Sequence, residues 1–334
     1  MVSRPYQDLA AGRDYPRDWA EFQDWFPDEV RCRDYLAALR WPAGYVCPQC
    51  GAAGEPFHAR GGRLICRQCR HQGTVTAGTI FDKTRTPLRI WLAAAWHLTH
   101  QKGGVSALGL QRVLGMKSYQ TAWGILHRLR HAMVRMDREP LIGVVEIDEV
   151  YLAGPDPVKR PRSPRNHIQY AMPVGVAVEV RDPKGFGRVR LSRLAAANET
   201  ALSRFVQEVV QPGATVHTDG SHVYRELTNL GYGHQRTVHL RSADPPHKTM
   251  PAVHRVAALL KRWLMGTHQG AVGAEHLDRY LEEFAFRFNR RTSRSRGLIF
   301  YRLLEQAVVT PPETYAAIVA SSARPQDVVV GGAN

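Results

Sequence analysis

Four cysteines in two Cys-x-x-Cys pairs restrict this chain more than any other feature of its sequence. They are Cys47-Pro-Gln-Cys50 and Cys66-Arg-Gln-Cys69, with fifteen residues between the pairs. Each pair is a knuckle that aims two thiolates at one centre, and two knuckles at this separation match a tetrahedral four-thiolate zinc site. The competing reading, redox-active or merely buried thiols, does not account for the paired spacing. A disulfide framework fits poorly as well, because the chain has five cysteines in 334 residues and Cys32 is left over. Four protein ligands leave zinc no open position, so Zn2+ here is structural. Gly51 and the Gly61-Gly62 pair suit the tight turns of a zinc ribbon over 41–80, and Arg60, Arg63, Arg67 and Arg70 give that ribbon a basic surface.

Charge points the same way. Lys and Arg number 45 against 30 Asp and Glu, a net charge of +15. Such an imbalance favours a polyanionic partner, most often nucleic acid, although a basic surface does not by itself establish a function. No apolar run approaches the roughly 20 residues of a membrane helix, and no signal peptide opens the chain. A cytoplasmic protein without membrane partners is expected.

Around the ribbon the sequence predicts helices. Residues 1–40 form a helical segment, with Asp28 placed to cap a helix from Glu29 to Leu39 and Pro42 beyond its end. Over 85–138, Pro87 opens a helix through Trp91 and Leu98, and a second helix runs from Val105 to Leu114. Gly115-Met116-Lys117 is a turn, after which Ser118 caps a third helix from Tyr119 to about Met136. Helix, glycine-containing turn and helix make a helix-turn-helix pattern, with Tyr119, Gln120 and Thr121 leading the element that would enter a DNA major groove. Arg128, Arg130 and Arg135 follow as candidate phosphate contacts. An ordinary helical hairpin with a charged outer face is the alternative.

From Val144 the texture changes to strands. Val144–Leu152, VVEIDEVYL, alternates as a β-strand, placing Val144, Glu146 and Asp148 on one face and Val145, Ile147 and Glu149 on the other. Acidic residues are poor strand formers and costly to bury, so a carboxylate there wants a metal, an arginine or a substrate. Strands over 169–180 and 187–194 and a helix over 199–210 follow. Thr215–Asp219 is a strand ending on a second carboxylate, and Gly220 permits a sharp turn into a helix over 221–230. A last strand is expected at 235–240, then helices over 251–265 and 274–289 and a frayed tail. Apolar Val253, Val256, Leu260, Trp263 and Leu264 mark the buried face of the 251–265 helix. His254 and Lys261, seven residues apart, lie together beside that face.

Three strands, a helix, a strand and a helix, with carboxylates ending the first and fourth strands, predict an RNase H-like fold with a mixed sheet over 142–305. The whole is then a multidomain α+β chain with a tail over 306–334. In that fold the two acid-bearing strands are neighbours, so Asp148 and Asp219 could share divalent metals for phosphoryl transfer. Magnesium suits such hard oxygen ligands.

The ordered set RWPAGYVCPQCG, CRQC, EIDEVYLAG, HTDGS, VHRVAALLKRWLMGTHQG and YLEEFAFRFNRR resembles the bacterial insertion-sequence transposases that carry an N-terminal zinc ribbon and a DDE-type catalytic domain. The similarity covers roughly residues 20 to 305. It implies that Asp148 and Asp219 are the first two catalytic acids. Most DDE enzymes have glutamate at the third position, and this group usually has asparagine followed by lysine seven residues on. The corresponding positions here are His254 and Lys261. A neutral imidazole can ligate a second metal, which brings Mn2+ forward beside Mg2+. Lys261, protonated, suits the scissile phosphate as a point charge. Glu149 and Glu283 are spare carboxylates.

The resemblance implies an enzyme that binds terminal inverted repeats, cleaves DNA and joins it to target DNA, acting as a homo-oligomer in a synaptic complex. The rival is a decayed or domesticated zinc-ribbon DNA-binding protein, motivated by the missing third carboxylate. A zinc-ribbon nuclease acting on RNA–DNA hybrids leaves the helix-turn-helix without a purpose.

Overall fold

The computed structural model describes residues 9–134, 138–153, 171–181, 185–238, 246–270 and 272–320. It contains two compact units, Met1–Arg135 with Thr292–Ile318 and Met136–Arg291 with Val319–Asn334.

The first unit opens with α1 (Trp19–Trp25) and α2 (Glu29–Arg40), each started by an aspartate. Asp18 accepts the Glu21 amide, and Asp28 accepts those of Val30 and Arg31. These side chains satisfy amides that a first helical turn leaves unpaired, worth about 1 kcal/mol per cap. The ribbon follows as a three-stranded antiparallel sheet of β1 (Phe57–Ala59), β2 (Arg63–Ile65) and β3 (Gln72–Thr74). Then come α3 (Leu88–His100), α4 (Ala107–Val113) and α5 (Tyr119–Ala132). α3 begins at Pro87 without a cap of its own, and Glu29 of α2 supplies one by accepting the Leu88 and Arg89 amides at 2.9 and 3.0 Å. Gly115, at φ +61° in the α4–α5 turn, holds a left-handed conformation that a side chain would strain. Ser118 caps α5 as expected, its hydroxyl accepting the Thr121 amide at 3.2 Å.

The second unit is built on a five-stranded sheet. β4 (Val144–Ala153), β5 (Ala171–Val180) and β6 (Phe186–Arg193) form an antiparallel meander. α6 (Glu199–Val209) then crosses to β7 (Thr215–Asp219), which pairs parallel with β4, and β8 (Gly233–Thr237) pairs parallel with β7. The resulting order, β6-β5-β4-β7-β8, is the mixed arrangement expected of an RNase H-like domain. The predicted helix over 221–230 is instead a short 3-10 turn, His222–Leu227, and the last strand starts two residues earlier than expected. After α7 (Pro246–Thr249) come α8 (Pro251–His268) and α9 (Leu277–Phe288).

The β4 alternation divides the core as the sequence predicts. Val145 and Ile147 join Leu202, Phe205, Val206 and Val216 in the cluster with α6. Val150 and Leu152 face the other way, packing with Val253, Val256, Leu260, Trp263, Leu281 and Phe284. Each fully buried aliphatic side chain of this kind contributes roughly 1.5–3 kcal/mol. α8 is therefore fixed against the same face of β4 that carries Glu146 and Asp148.

The chain then returns to the first unit through α10 (Arg296–Ala307), which packs on α2, α3 and α5, and α11 (Tyr315–Ala320). Phe300 sits edge-on to Phe22 and Trp96, at ring separations of 5.9 and 5.3 Å. The second domain was expected to run to 305, so part of that span folds elsewhere. Sequence adjacency alone placed it there, whereas its buried Ile299, Phe300, Leu303 and Leu304 match an aromatic surface far upstream in the chain, a long-range pairing that periodicity cannot assign.

Candidate functional site

In the ribbon, each knuckle closes through a backbone bond, from Gly51 N–H to the Cys47 carbonyl at 2.9 Å and from Arg70 N–H to the Cys66 carbonyl at 3.1 Å. The four Sγ atoms converge within 4.8 Å of one another, with Cys47–Cys69 and Cys50–Cys66 each at 3.7 Å. A tetrahedron of thiolates about 2.3 Å from zinc has edges of about 3.8 Å. The cluster thus fits structural zinc in donor type, number and size. Arg60, Arg63, Arg67 and Arg70 are all exposed around it, and Arg67 lies over the Phe57 ring at 4.6 Å. Cys32 is a buried helix residue whose thiol is pushed up to about 12, chiefly by burial, so it is chemically quiet.

The acidic centre sits at the ends of β4 and β7. Their parallel register pairs Glu146 with His217, and the same offset two residues on brings Asp148 level with Asp219. A Cβ on Gly220 would stand 3.2 Å from the Val238 Cα, so glycine lets the chain just after Asp219 lie close against the segment that follows β8. One Asp219 oxygen accepts the Ser221 amide at 3.0 Å, and one Asp148 oxygen accepts the Glu149 amide at 2.9 Å. From α8, His254 Nδ1 approaches Asp148 Oδ2 to 4.0 Å, with both side chains partly open to solvent. Lys261, two turns further along, is exposed and acts favourably on the Asp148 charge.

Electrostatically the centre is short of cations. Burial, the adjacent Glu149 and the facing Asp219 push the Asp148 carboxyl up from 3.8 to about 7. A divalent cation would relieve that repulsion, and the donors on hand are those magnesium and manganese accept. Among the described residues only the four thiolates form a group of three or more donor atoms within 4.8 Å, so Asp148, Asp219 and His254 are more widely spread. Glu149 turns to the opposite face, where Tyr224 Oη donates to it at 2.8 Å. Glu283 is fully buried in α9, with Arg287 at 3.3 Å. Sequence reasoning passed over Tyr224 and the partner of Glu146, described below. Their signals were a tyrosine five residues after Asp219 and an acid in a core-facing strand position.

A pH dependence follows. Between pH 3.8 and about 7 the metal-free native protein holds a proton on Asp148 that the unfolded chain has released. This group's contribution to stability therefore declines as pH rises through that window. A cation must displace the same proton, so apparent Mn2+ affinity should fall by up to about tenfold per pH unit below 7. Calorimetric Mn2+ titrations at several pH values check this, and Asp148→Asn should flatten the trend.

Beyond the α4–α5 turn, Tyr119 and Gln120 are exposed and Thr121 is half-buried at the start of α5. Arg128 is half-buried, its Nε donating to the Glu313 carbonyl at 2.6 Å, and Arg130 is only 1% exposed. Arg135 lies outside the described residues, as do Lys159, Arg160, Arg162 and Arg165 of the basic loop. Arg112 and Lys117, not singled out from the sequence, are exposed beside the α4–α5 turn. No helix among the described residues is long and apolar enough to cross a membrane.

A thiolate ribbon ahead of an RNase H-like sheet with acids on adjacent central strands defines a class, that of zinc-ribbon proteins with a DDE-type transposase domain. Family comparison agrees, matching residues 27–72 to the transposase zinc-ribbon domain and residues 140–289 to the ISXO2-like transposase domain. The chain thus carries a domain matching the ISXO2-like transposase domain behind one matching the transposase zinc ribbon. It is 29% identical over 282 residues to an uncharacterized protein in transposable element ISH50 of Halobacterium salinarum, covering 78% of this chain and 91% of that one. Among solved structures, a chain of the simian T-cell lymphotropic virus intasome in complex with PP2A regulatory subunit B56 gamma aligns at 13% identity. It covers 67% of this chain and 74% of that one with a TM-score of 0.31, too low to bear on the fold.

Proposed function

We propose that this protein is a DNA transposase that binds the terminal inverted repeats of an insertion sequence, cleaves DNA at its ends and joins them to target DNA. The carrying observation is the placement of Asp148 and Asp219 level on adjacent parallel strands with His254 at 4.0 Å from Asp148, inside a transposase-family domain. Asp148, Asp219 and His254 would hold Mg2+ or Mn2+, which supplies Lewis-acid activation of the attacking oxygen and charge neutralisation at the leaving one. Lys261 offers a positive charge to the scissile phosphate from the same helix as His254. The ribbon arginines, Tyr119, Gln120, Thr121, Arg112 and Lys117 form the DNA-facing set of the first unit. Arg130, buried, and Arg128, held by the Glu313 carbonyl, are left out of that set, and Arg135 lies outside the described residues. Synapsis of two ends would call for a homo-oligomer.

The experiment is cleavage of a donor plasmid carrying the element's ends, with specific nicks mapped at the end boundaries in Mg2+ and Mn2+. Nicks at the ends support the proposal, and binding without nicking favours the second reading. That second reading, a catalytically inactive or domesticated DNA-binding protein, is motivated by histidine standing where a third carboxylate is usual.

His254 separates these readings further. His254→Ala should lower the cleavage rate by about tenfold to a hundredfold, the range set by losing one ligand or its supporting contact. His254→Glu restores a hard oxygen donor and should retain Mg2+-dependent activity better than alanine does. Rates of His254→Ala equal to wild type would remove the histidine from the site.

A further inference from the structure

Glu146 lies two residues before Asp148 on the same face of β4, only 3% exposed. A carboxylate buried this deeply needs partners, and it finds them at the start of α8, where its Oε2 accepts the Val253 amide at 2.9 Å. The Ala252 amide also acts on it as a backbone donor. α8 begins with Pro251 and has no side-chain cap from its own N-cap residue, Met250. Its first-turn amides would otherwise be unpaired in a buried setting, and an anion at a helix N-terminus is favoured by the helix dipole as well. The next residue after Val253 is His254. One short stretch of β4 thus holds both the helix start, through Glu146, and the acid that His254 faces, Asp148.

We infer that Glu146 is a positioning residue for the catalytic centre: by capping α8 from the neighbouring strand it fixes where His254 and Lys261 stand relative to Asp148. This rests on the proposed metal-dependent function of that centre. The hydrophobic contacts of Val256, Leu260 and Trp263 hold α8 against the sheet, but burial of apolar surface is non-directional. A directional hydrogen bond at the first turn fixes the axial position of the helix. Glu146 itself, turned to the helix backbone, is a support and not a metal ligand.

The test compares wild type with Glu146→Met, which keeps length and suits a buried site but offers no strong acceptor, and Glu146→Gln, whose carbonyl can still accept from Val253. Two quantities are read on the full chain: hydrogen exchange of the Ala252–His254 amides, and Mn2+ affinity by calorimetry without DNA. Glu146→Met should raise exchange at Val253 by about tenfold or more and weaken Mn2+ binding by a similar factor, with Glu146→Gln within about threefold of wild type in both. Unchanged Val253 exchange in Glu146→Met would overturn the cap. Faster exchange with unchanged Mn2+ affinity would leave a cap with no bearing on the site, and so overturn the positioning role. Loss of Mn2+ in Glu146→Gln as complete as in Glu146→Met would make Glu146 a ligand instead. A wild type that binds no Mn2+ would contradict the proposed centre itself, a result distinct from all of these.

Discussion

Asp148→Ala and Asp219→Ala should each lower DNA cleavage by about a thousandfold or more while leaving binding to the element's ends intact. The two acids come from separate strands and stand level because β4 and β7 run parallel in one register. Either substitution removes charge from a centre whose geometry the other residues keep, so a folded and DNA-binding but inert protein is the expected product. Asp148→Ala also removes the group that burial and two neighbouring carboxylates push up to about 7. The metal-free variant should therefore be at least as stable as wild type at pH 8, where the native charge is most costly. Thermal unfolding with and without Mn2+ checks this, and stabilisation by Mn2+ should appear in wild type only. A large loss of folding in Asp148→Ala would instead give the acid a structural role.

Cys47→Ser should abolish tight zinc binding and unfold the ribbon. Structural zinc supplies on the order of 10 kcal/mol to small zinc domains, far more than this sheet of three three-residue strands gains from its own core. Wild type should carry about one zinc per chain, released by thiol reagents in proportion to four thiolates. The Asp18 and Asp28 helices and the aromatic cluster around Phe22, Trp96 and Phe300 lie in the same compact unit but have their own core. Most of the helical signal should therefore survive while DNA affinity falls. A metal-free ribbon with native amide dispersion would contradict the zinc assignment.

Features set by local chemistry were legible in the sequence. The Cys-x-x-Cys spacing, the caps at Asp28 and Ser118 and the two-residue alternation of β4 each depend on a few neighbouring residues, and the fold repeats them. Asp148 and Asp219 stood out because carboxylates at strand ends conflict with the core character of their surroundings. What the sequence concealed depends on distant partners. Arg130 reads as a surface phosphate contact because arginine is seldom buried, yet α3, α4 and α10 pack on α5 and Arg130 is only 1% exposed. Arg128 reads alike until the Glu313 carbonyl meets it. The cap that Glu146 gives α8 spans 107 residues and has no local signature. The expected helix over 221–230 is a 3-10 turn whose Tyr224 donates to Glu149 of β4, a partner 75 residues away that no local pattern announces.

The most direct test is strand transfer itself. A labelled, pre-cleaved oligonucleotide carrying the element's terminal repeat is incubated with the full chain, a supercoiled target plasmid and Mg2+ or Mn2+. The site built on Asp148, Asp219 and His254 requires joined product from wild type and none from Asp148→Ala. Specific binding of the end with no joined product in either metal would contradict it, and would leave a DNA-binding protein with a silent catalytic fold.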